Sequence, residues 1–476
     1  MRLNRIWGSG AVLCGSLLMS WPAIYNRYPL LYPDSMSYLD NGRLVGRALF
    51  LHKFSPFYGE RSLIYCLGIL PLHWNITPWP IVAANALLTA YVIWLLVRSV
   101  LQRQTVAGYL AVVAPLSLLT GMGWFVSLIM PDILGPVLYL SIYLLVFARE
   151  TLSRKERVIL VLVAWWGMVS HITHLVLAVG LCTVLVPILI LQGQQTLRWL
   201  AAVGRVMMIV LVAAASQIAL NAYLYDEPSL NGERPPFLTA RIIADGPGFR
   251  YLQGHCGKID LAICGYVREL PSTTDHFLWA PNGIWQNASD ETQRRLRNEE
   301  MRFVLATLRT YPIEELSIAA TNWWRQLMTF SLEHDYDPNA WMLGEFDHVL
   351  PGALPRYMRS RQARGVLPDS LSTLVQNWAV MVSLLVIGVL TVSLRHRQSP
   401  RVIGLVAVIV AAVIGNAWVT GVLSDVENRY QSRVVWLLML LAGVMVLEWH
   451  DRRLAAHLEQ CVCRVDVQKE HGTGNR

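Results

Sequence analysis

The chain has 476 residues, 54% of them hydrophobic and 15% charged, with a formal net charge of +8. Soluble domains carry about 25% charged residues, so this composition excludes an ordinary soluble enzyme and a disordered chain. The basic surplus reads as charge that keeps loops cytoplasmic, not as a nucleic-acid surface, and the seven cysteines show no paired metal-ligand spacing.

A helix needs about 20 mostly apolar residues to cross a bilayer. The first such stretch runs from Ile6 to about Tyr25 and follows Arg2 and Arg5, so its start is expected to be cytoplasmic. Further stretches lie at about 79–98, 105–121, 133–148, 157–170, 174–192 and 203–222, and the last three at about 374–394, 402–423 and 433–449. Arg98 and Arg103, the 149–157 cluster, Arg198, Arg395, Arg397, Arg401, Arg452 and Arg453 all fall on the side of the N-terminus if ten segments cross. Residues 62–74 are too short to span and read as a juxtamembrane or re-entrant helix. The predicted fold is an all-α polytopic membrane protein with about ten transmembrane helices and a mixed or mainly helical outer domain. Its parts are a transmembrane module 1–222 with a first outer loop 26–61, a periplasmic domain 223–373, transmembrane helices 374–449 and a cytoplasmic tail 450–476. Both termini are expected in the cytoplasm. Amphipathic stretches at 292–310 and 313–332 flank Pro312. Cys256 and Cys264 lie in the outer segment, where an oxidising compartment allows a disulfide; two buried free thiols are the alternative.

The informative polar residues gather at outward helix ends. Tyr32-Pro33-Asp34 and Tyr38 follow the first span. Asp34 suits a general base or a divalent-metal ligand, and equally a helix cap. Met130-Pro131-Asp132 opens the fourth span, where the helix dipole favours an anion. His171 and His174, three positions apart at the turn between spans five and six, can share a helix face and bind phosphate, relay a proton or supply half a metal site. Arg429-Tyr430 and Arg433 precede the last span, on the side where basic residues are disfavoured. They suit bidentate phosphate contacts, or a salt bridge with Asp425 or Glu427. Arg234, Arg241 and Arg250 read either as lining of an anionic site or as solvated surface. Trp323 and Trp324 read as membrane-interface packing or as a sugar platform.

On these residues the chain resembles the GT-C superfamily of membrane glycosyltransferases, which take a sugar from a polyprenyl-phosphate carrier at the outer membrane face. The resemblance is architectural over most of the chain. At motif level it rests on Asp34 in the first outer loop, the juxtamembrane region 40–74, Asp132 after the third span, and Arg429-Tyr430 in a late outer loop. His171 and His174 hold a place where relatives more usually carry Lys. The resemblance implies an inverting transfer to a glycan, lipid or protein acceptor. Asp34 would be the general base, with Asp132 orienting the acceptor or holding a metal. Arg429, Arg433, His171 and His174 would lie at the donor phosphate, and Tyr38 and Tyr430 at the substrate. A divalent metal ion is the one cofactor it suggests, and a bacterial inner membrane is the expected location. Rival readings are a polymerase or ligase using lipid-diphosphate glycans, and a transporter or flippase. The latter would place its polar residues near the bilayer midplane, in repeated halves.

Overall fold

A computed structural model describes residues 2–58, 61–103, 105–191, 196–333, 336–394 and 399–472. Arg395 and Arg397 lie outside the described residues, and the side chains of Arg2 and Arg5 are likewise not described. The described chain is helical. No strand occurs among the described residues, only one isolated parallel bridge, Leu30 to Leu128.

The first half contributes α1 (Arg2–Met19), α2 (Trp21–Asn26), α3 (Asp34–Leu51), α4 (Leu63–His73), α5 (Trp79–Leu101), α6 (Val106–Leu119), α7 (Met122–Ser127), α8 (Leu134–Phe147), α9 (Arg154–Ser170), α10 (Ile172–Leu191) and α11 (Thr196–Tyr225). Every segment predicted to cross is helical. The first is broken at Ser20, because Pro22 cannot donate the bond that would continue α1. Local sequence sets several starts: Thr105 caps α6, and Ser153 with Glu156 forms a capping box on α9. The 62–74 segment is α4, folded back on α3 as a helical hairpin. Gly42 permits this approach, since a Cβ there would stand 2.5 Å from the Cys66 carbonyl oxygen.

The segment after α11 builds α12 (Phe237–Ala244), α13 (Pro247–His255), α14 (Thr274–Leu278), α15 (Ile284–Asn287), α16 (Asp290–Thr310), α17 (Pro312–Met328), α18 (Ala340–Val349) and α19 (Leu354–Tyr357). The chain then returns through α20 (Asp369–Leu394), α21 (Pro400–Leu423) and α22 (Asn428–Gly472). Pro312 opens α17, so both amphipathic stretches are helices where the sequence placed them. On α16, Leu296, Glu300, Phe303 and Thr307 are buried, spaced by three or four positions as one helix face requires. Glu300 accepts hydrogen bonds from Arg234 and from the backbone N–H groups of Leu238 and Thr239, at the start of α12.

The predicted outer domain 223–373 is not one packing unit. Residues 240–303 form their own small core around Leu252, Phe277, Leu278 and Phe303. Leu332, Tyr336, Met342, Phe346 and Tyr357 instead join the main core with Tyr28, Leu30 and Leu31. Trp323 packs on α21, its indole 6.0 Å from that of Trp418, while Trp324 is exposed.

Cys256 and Cys264 form a disulfide beside the small core. Closing so short a loop contributes about 2–3 kcal/mol by chain entropy. Cys256→Ser should therefore loosen the 240–303 core, seen as faster amide exchange there, while α20 to α22 stay protected.

Among the described residues, six helices are long and apolar enough to cross a membrane: α5, α10, α11, α20, α21 and α22, the last over Asn428–Leu454. Ion pairs tie the basic loops together at one end of the bundle. Arg98 makes a two-pronged pair with Glu156 at 2.7 and 3.0 Å, Arg401 reaches Glu150 at 3.0 Å, and Arg103 pairs with Asp451. The opposite end holds the polar groups of the next section.

Candidate functional site

Two short stretches share a pattern, Leu30-Leu-Tyr-Pro-Asp34 and Leu128-Ile-Met-Pro-Asp132. The parallel bridge pairs Leu30 with Leu128, so the two stretches run side by side in register. The Leu30 N–H donates to Ser127 O at 2.9 Å, and the Ile129 N–H donates to Leu30 O at 3.0 Å. Each stretch then meets a proline, which bars further extended pairing and opens a helical turn. Gln362 clamps the first stretch from outside: its Oε1 accepts from the Leu31 N–H at 3.1 Å, and its Nε2 donates to Tyr336 O at 2.8 Å. The two aspartates are thus delivered as a pair to the same end of the bundle.

They open onto a cavity of about 1600 Å³. Its floor is formed by the starts of α3, α10 and α22 and the turn before α8; its walls come from α11, the small outer core and the α21–α22 loop. Asp34 is the first residue of α3, and Pro33 holds the cap position without a side-chain bond, so capping does not account for the carboxylate. Arg61 Nη2 lies 2.6 Å from Asp34 Oδ1. Asp34 Oδ2 stands 4.0 Å from Arg429 Nη1, beyond hydrogen-bond range. Asp132 is buried, and Arg433 Nη1 donates to its Oδ1 at 3.2 Å.

The arginines are held by aromatic rings and amides. The Arg429 guanidinium lies 4.1 Å from the Tyr32 ring centre and 5.4 Å from that of Tyr430. Its Nη1 is buried with no hydrogen-bond partner. Arg433 lies 5.5 Å from the Tyr430 ring and donates from Nη2 to Asn416 Oδ1 at 3.1 Å. Asn416 in turn donates to Tyr430 O at 2.6 Å and to Gln431 Oε1 at 2.9 Å, which fixes the start of α22 against α21. Tyr38, one turn after Asp34, is buried with its ring 5.4 Å from Arg61 and edge-on to Tyr65. It also borders the cavity.

The two histidines part company. His171 lines the cavity, and its Nδ1 is 2.8 Å from Thr173 Oγ1. His174 does not line it. His174 is fully buried, with Nδ1 3.1 Å from both the Gly167 carbonyl and Ser170 Oγ. A Cβ on Gly135 would come within 2.9 Å of its Nε2. Its observed place joins α9 to α10 behind the cavity wall.

Arg61 is the functional candidate that sequence reasoning missed. The proposed metal site also finds little to build on. Among the described residues no group of three or more His, Cys, Asp or Glu could hold a metal ion. Asp34 and Asp132 each face guanidinium groups instead. Arg234 lines the cavity and pairs with Glu300; Arg241 pairs with Asp245 and Asp425; Arg250 pairs with Glu314 away from the cavity.

No protein-family model, no curated protein and no solved structure matches this chain. Geometry and electrostatics carry the functional reading.

The upper wall has the opposite charge to the floor. Glu427, Asp275 and Asp425 all line it. Burial, then the charges of Asp275 and Asp425, push Glu427 above the usual carboxyl range; burial, then Asp425, does the same to Asp275. A carboxyl raised on folding destabilises the fold above its ordinary range, and the penalty grows as pH rises through the raised value. Glu427→Gln should therefore raise the unfolding temperature in detergent at pH 8 and leave it unchanged at pH 4. An equal change at both pH values would show that the charge of Glu427 is not what costs stability.

Proposed function

We propose that the chain is a GT-C-type membrane glycosyltransferase. In this reading ten helices cross a bacterial inner membrane, and both termini are cytoplasmic. A sugar passes from a polyprenyl-phosphate carrier to a glycan, lipid or protein acceptor at the outer face. One observation carries the reading: the Asp34 carboxylate shares a cavity with the guanidiniums of Arg61, Arg429 and Arg433 at a common end of the helices. On the cavity floor alone, three guanidiniums face two carboxylates, Asp34 and Asp132, a local surplus of one positive charge below the acidic upper wall. A polyprenyl-phosphate sugar carries its phosphate as a singly charged diester, which balances that surplus.

In the proposed reaction the acceptor hydroxyl oxygen attacks the anomeric carbon and its proton passes to Asp34 Oδ2. The bond from the anomeric carbon to the phosphate oxygen breaks, and the electron pair leaves with the phosphate. Displacement from one side inverts the anomeric carbon. Negative charge grows on the leaving phosphate, and Arg429, whose Nη1 is buried without a hydrogen-bond partner, is placed to stabilise it. Arg61 holds the Asp34 carboxylate through its Oδ1 and leaves Oδ2 towards the cavity. Arg433 and Asp132 form a buried pair that sets the floor. No step runs through a metal ion.

The test is mass spectrometry of envelope glycans and polyprenyl-linked sugars in three strains: wild type, one lacking the gene, and one carrying Asp34→Asn. Loss of one sugar, with its polyprenyl-monophosphate donor accumulating in both altered strains, is the expected result. Accumulated lipid-diphosphate repeats would replace this reading with a polymerase or ligase. Unchanged glycans and donors in the strain lacking the gene would remove it.

A further inference from the structure

A second concave site lies at the other end of the same helices. A groove of about 550 Å³ runs between α8, α9 and α11, lined by Arg149, Arg154, Arg157 and Arg205. It is far from the first cavity. α9 begins at Arg154 in the groove and ends at Ser170, next to His171, a path of about 24 Å at 1.5 Å per residue.

The four guanidiniums have no acidic counterpart in the groove wall, which contains no Asp or Glu. The nearest carboxylates in sequence are engaged elsewhere, Glu150 with Arg401 and Glu156 with Arg98. Arg149 and Arg205 lie within each other's field, an arrangement that repels unless an anion sits between them. Arg157 Nε is buried with no hydrogen-bond partner. Loop charge that only sets topology would be solvated. A buried, unpartnered Nε in a concave wall instead asks for an acceptor.

The remainder of the groove is apolar. Val158, Leu162 and Met208 line it and are 54, 58 and 59% exposed. They sit on α9 and α11, just inside the basic end, where acyl chains would lie along them. A phosphate group with apolar chains below it matches both halves of the groove; a free phosphate matches only one. We propose that this groove binds an anionic phospholipid, with its phosphate on the arginines and its acyl chains along α9 and α11. The proposal is independent of glycosyl transfer.

The test uses the full chain, purified in detergent and stripped of lipid. Native mass spectrometry would compare retention of dioleoyl phosphatidylglycerol and dioleoyl phosphatidylcholine. Wild-type protein should prefer the anionic lipid by at least about tenfold, the ratio that about 1.4 kcal/mol of differential binding gives, against roughly 1 kcal/mol for each basic side chain near an anionic surface. Arg157→Gln with Arg205→Gln should abolish the preference. Where that double variant does not elute as folded protein, Arg154→Gln, at an exposed position, should reduce it. Millimolar inorganic phosphate should leave the lipid bound. Equal retention of the two lipids, an undiminished preference in a folded variant, or displacement by inorganic phosphate would each overturn the proposal.

Discussion

Asp34→Asn is expected to lower sugar transfer by about 10²- to 10⁴-fold, the range for removing a positioned general base. Asparagine matches aspartate in size, so the first turn of α3 and the Leu30 to Leu128 bridge should persist. The exchange takes away the proton acceptor and leaves Arg61 facing a neutral amide. Asp34 is 24% exposed, Arg61 keeps its contact with the Tyr38 ring, and the asparagine oxygen can still accept from Arg61, so the variant should fold. In the proposed reaction the loss should fall on kcat more than on KM, because the base would act on the acceptor hydroxyl in the transition state while donor binding would rest on the arginines. Single-turnover transfer from a labelled polyprenyl-phosphate sugar separates the two. Wild-type turnover by well-folded Asp34→Asn protein would remove Asp34 from the chemistry.

The helical plan was legible because apolar runs of membrane length leave few alternatives. Basic residues fixed which helix ends lie together, and the pairs Arg98–Glu156 and Arg401–Glu150 now join those ends. Asp34, Asp132, Arg429 and Arg433 stood out as charges placed where a membrane protein pays for them. Arg61 did not. It lies 27 positions after Asp34, and only the α3–α4 hairpin brings it back. The sequence did hold one unread signal. Leu30-Leu-Tyr-Pro-Asp and Leu128-Ile-Met-Pro-Asp have the same spacing, and that likeness foreshadows two parallel stretches ending in paired aspartates.

The histidines show where helical spacing misleads. Their three-residue separation suggested one helix face. His171, however, has extended backbone (φ −157°, ψ 139°) and caps α9, while His174 belongs to α10. The rings remain 5.5 Å apart, yet only His171 reaches the cavity. The outer segment shows a different limit of hydropathy. Hydropathy sets residues 223–373 apart from the apolar helices, but does not show which core each part joins. Tyr336, Phe346 and Tyr357 join the main core, where Gln362 and the 28–31 stretch offer them a surface.

The Asp132–Arg433 pair should control stability more than any other side-chain contact in the site. Both side chains are only 3% exposed. Removing one member of a buried pair leaves an uncompensated charge, at a cost of about 3–5 kcal/mol. Asp132→Leu and Arg433→Met should each therefore lower the unfolding temperature sharply in detergent. Combining them removes both charges and should restore most of the loss, since a buried pair replaced by apolar groups is often nearly neutral. Recovery should fall short by about 1 kcal/mol, because Asn416 Oδ1 loses the Arg433 donor. Transfer should stay impaired in the restored protein. Arg433 and Tyr430 together shape the floor beneath Arg429, and methionine at 433 leaves the Tyr430 ring with one guanidinium instead of two. Recovery of stability without activity would separate the two roles of the pair. Additive losses in the double variant would mean that Asp132 and Arg433 are each held by other partners.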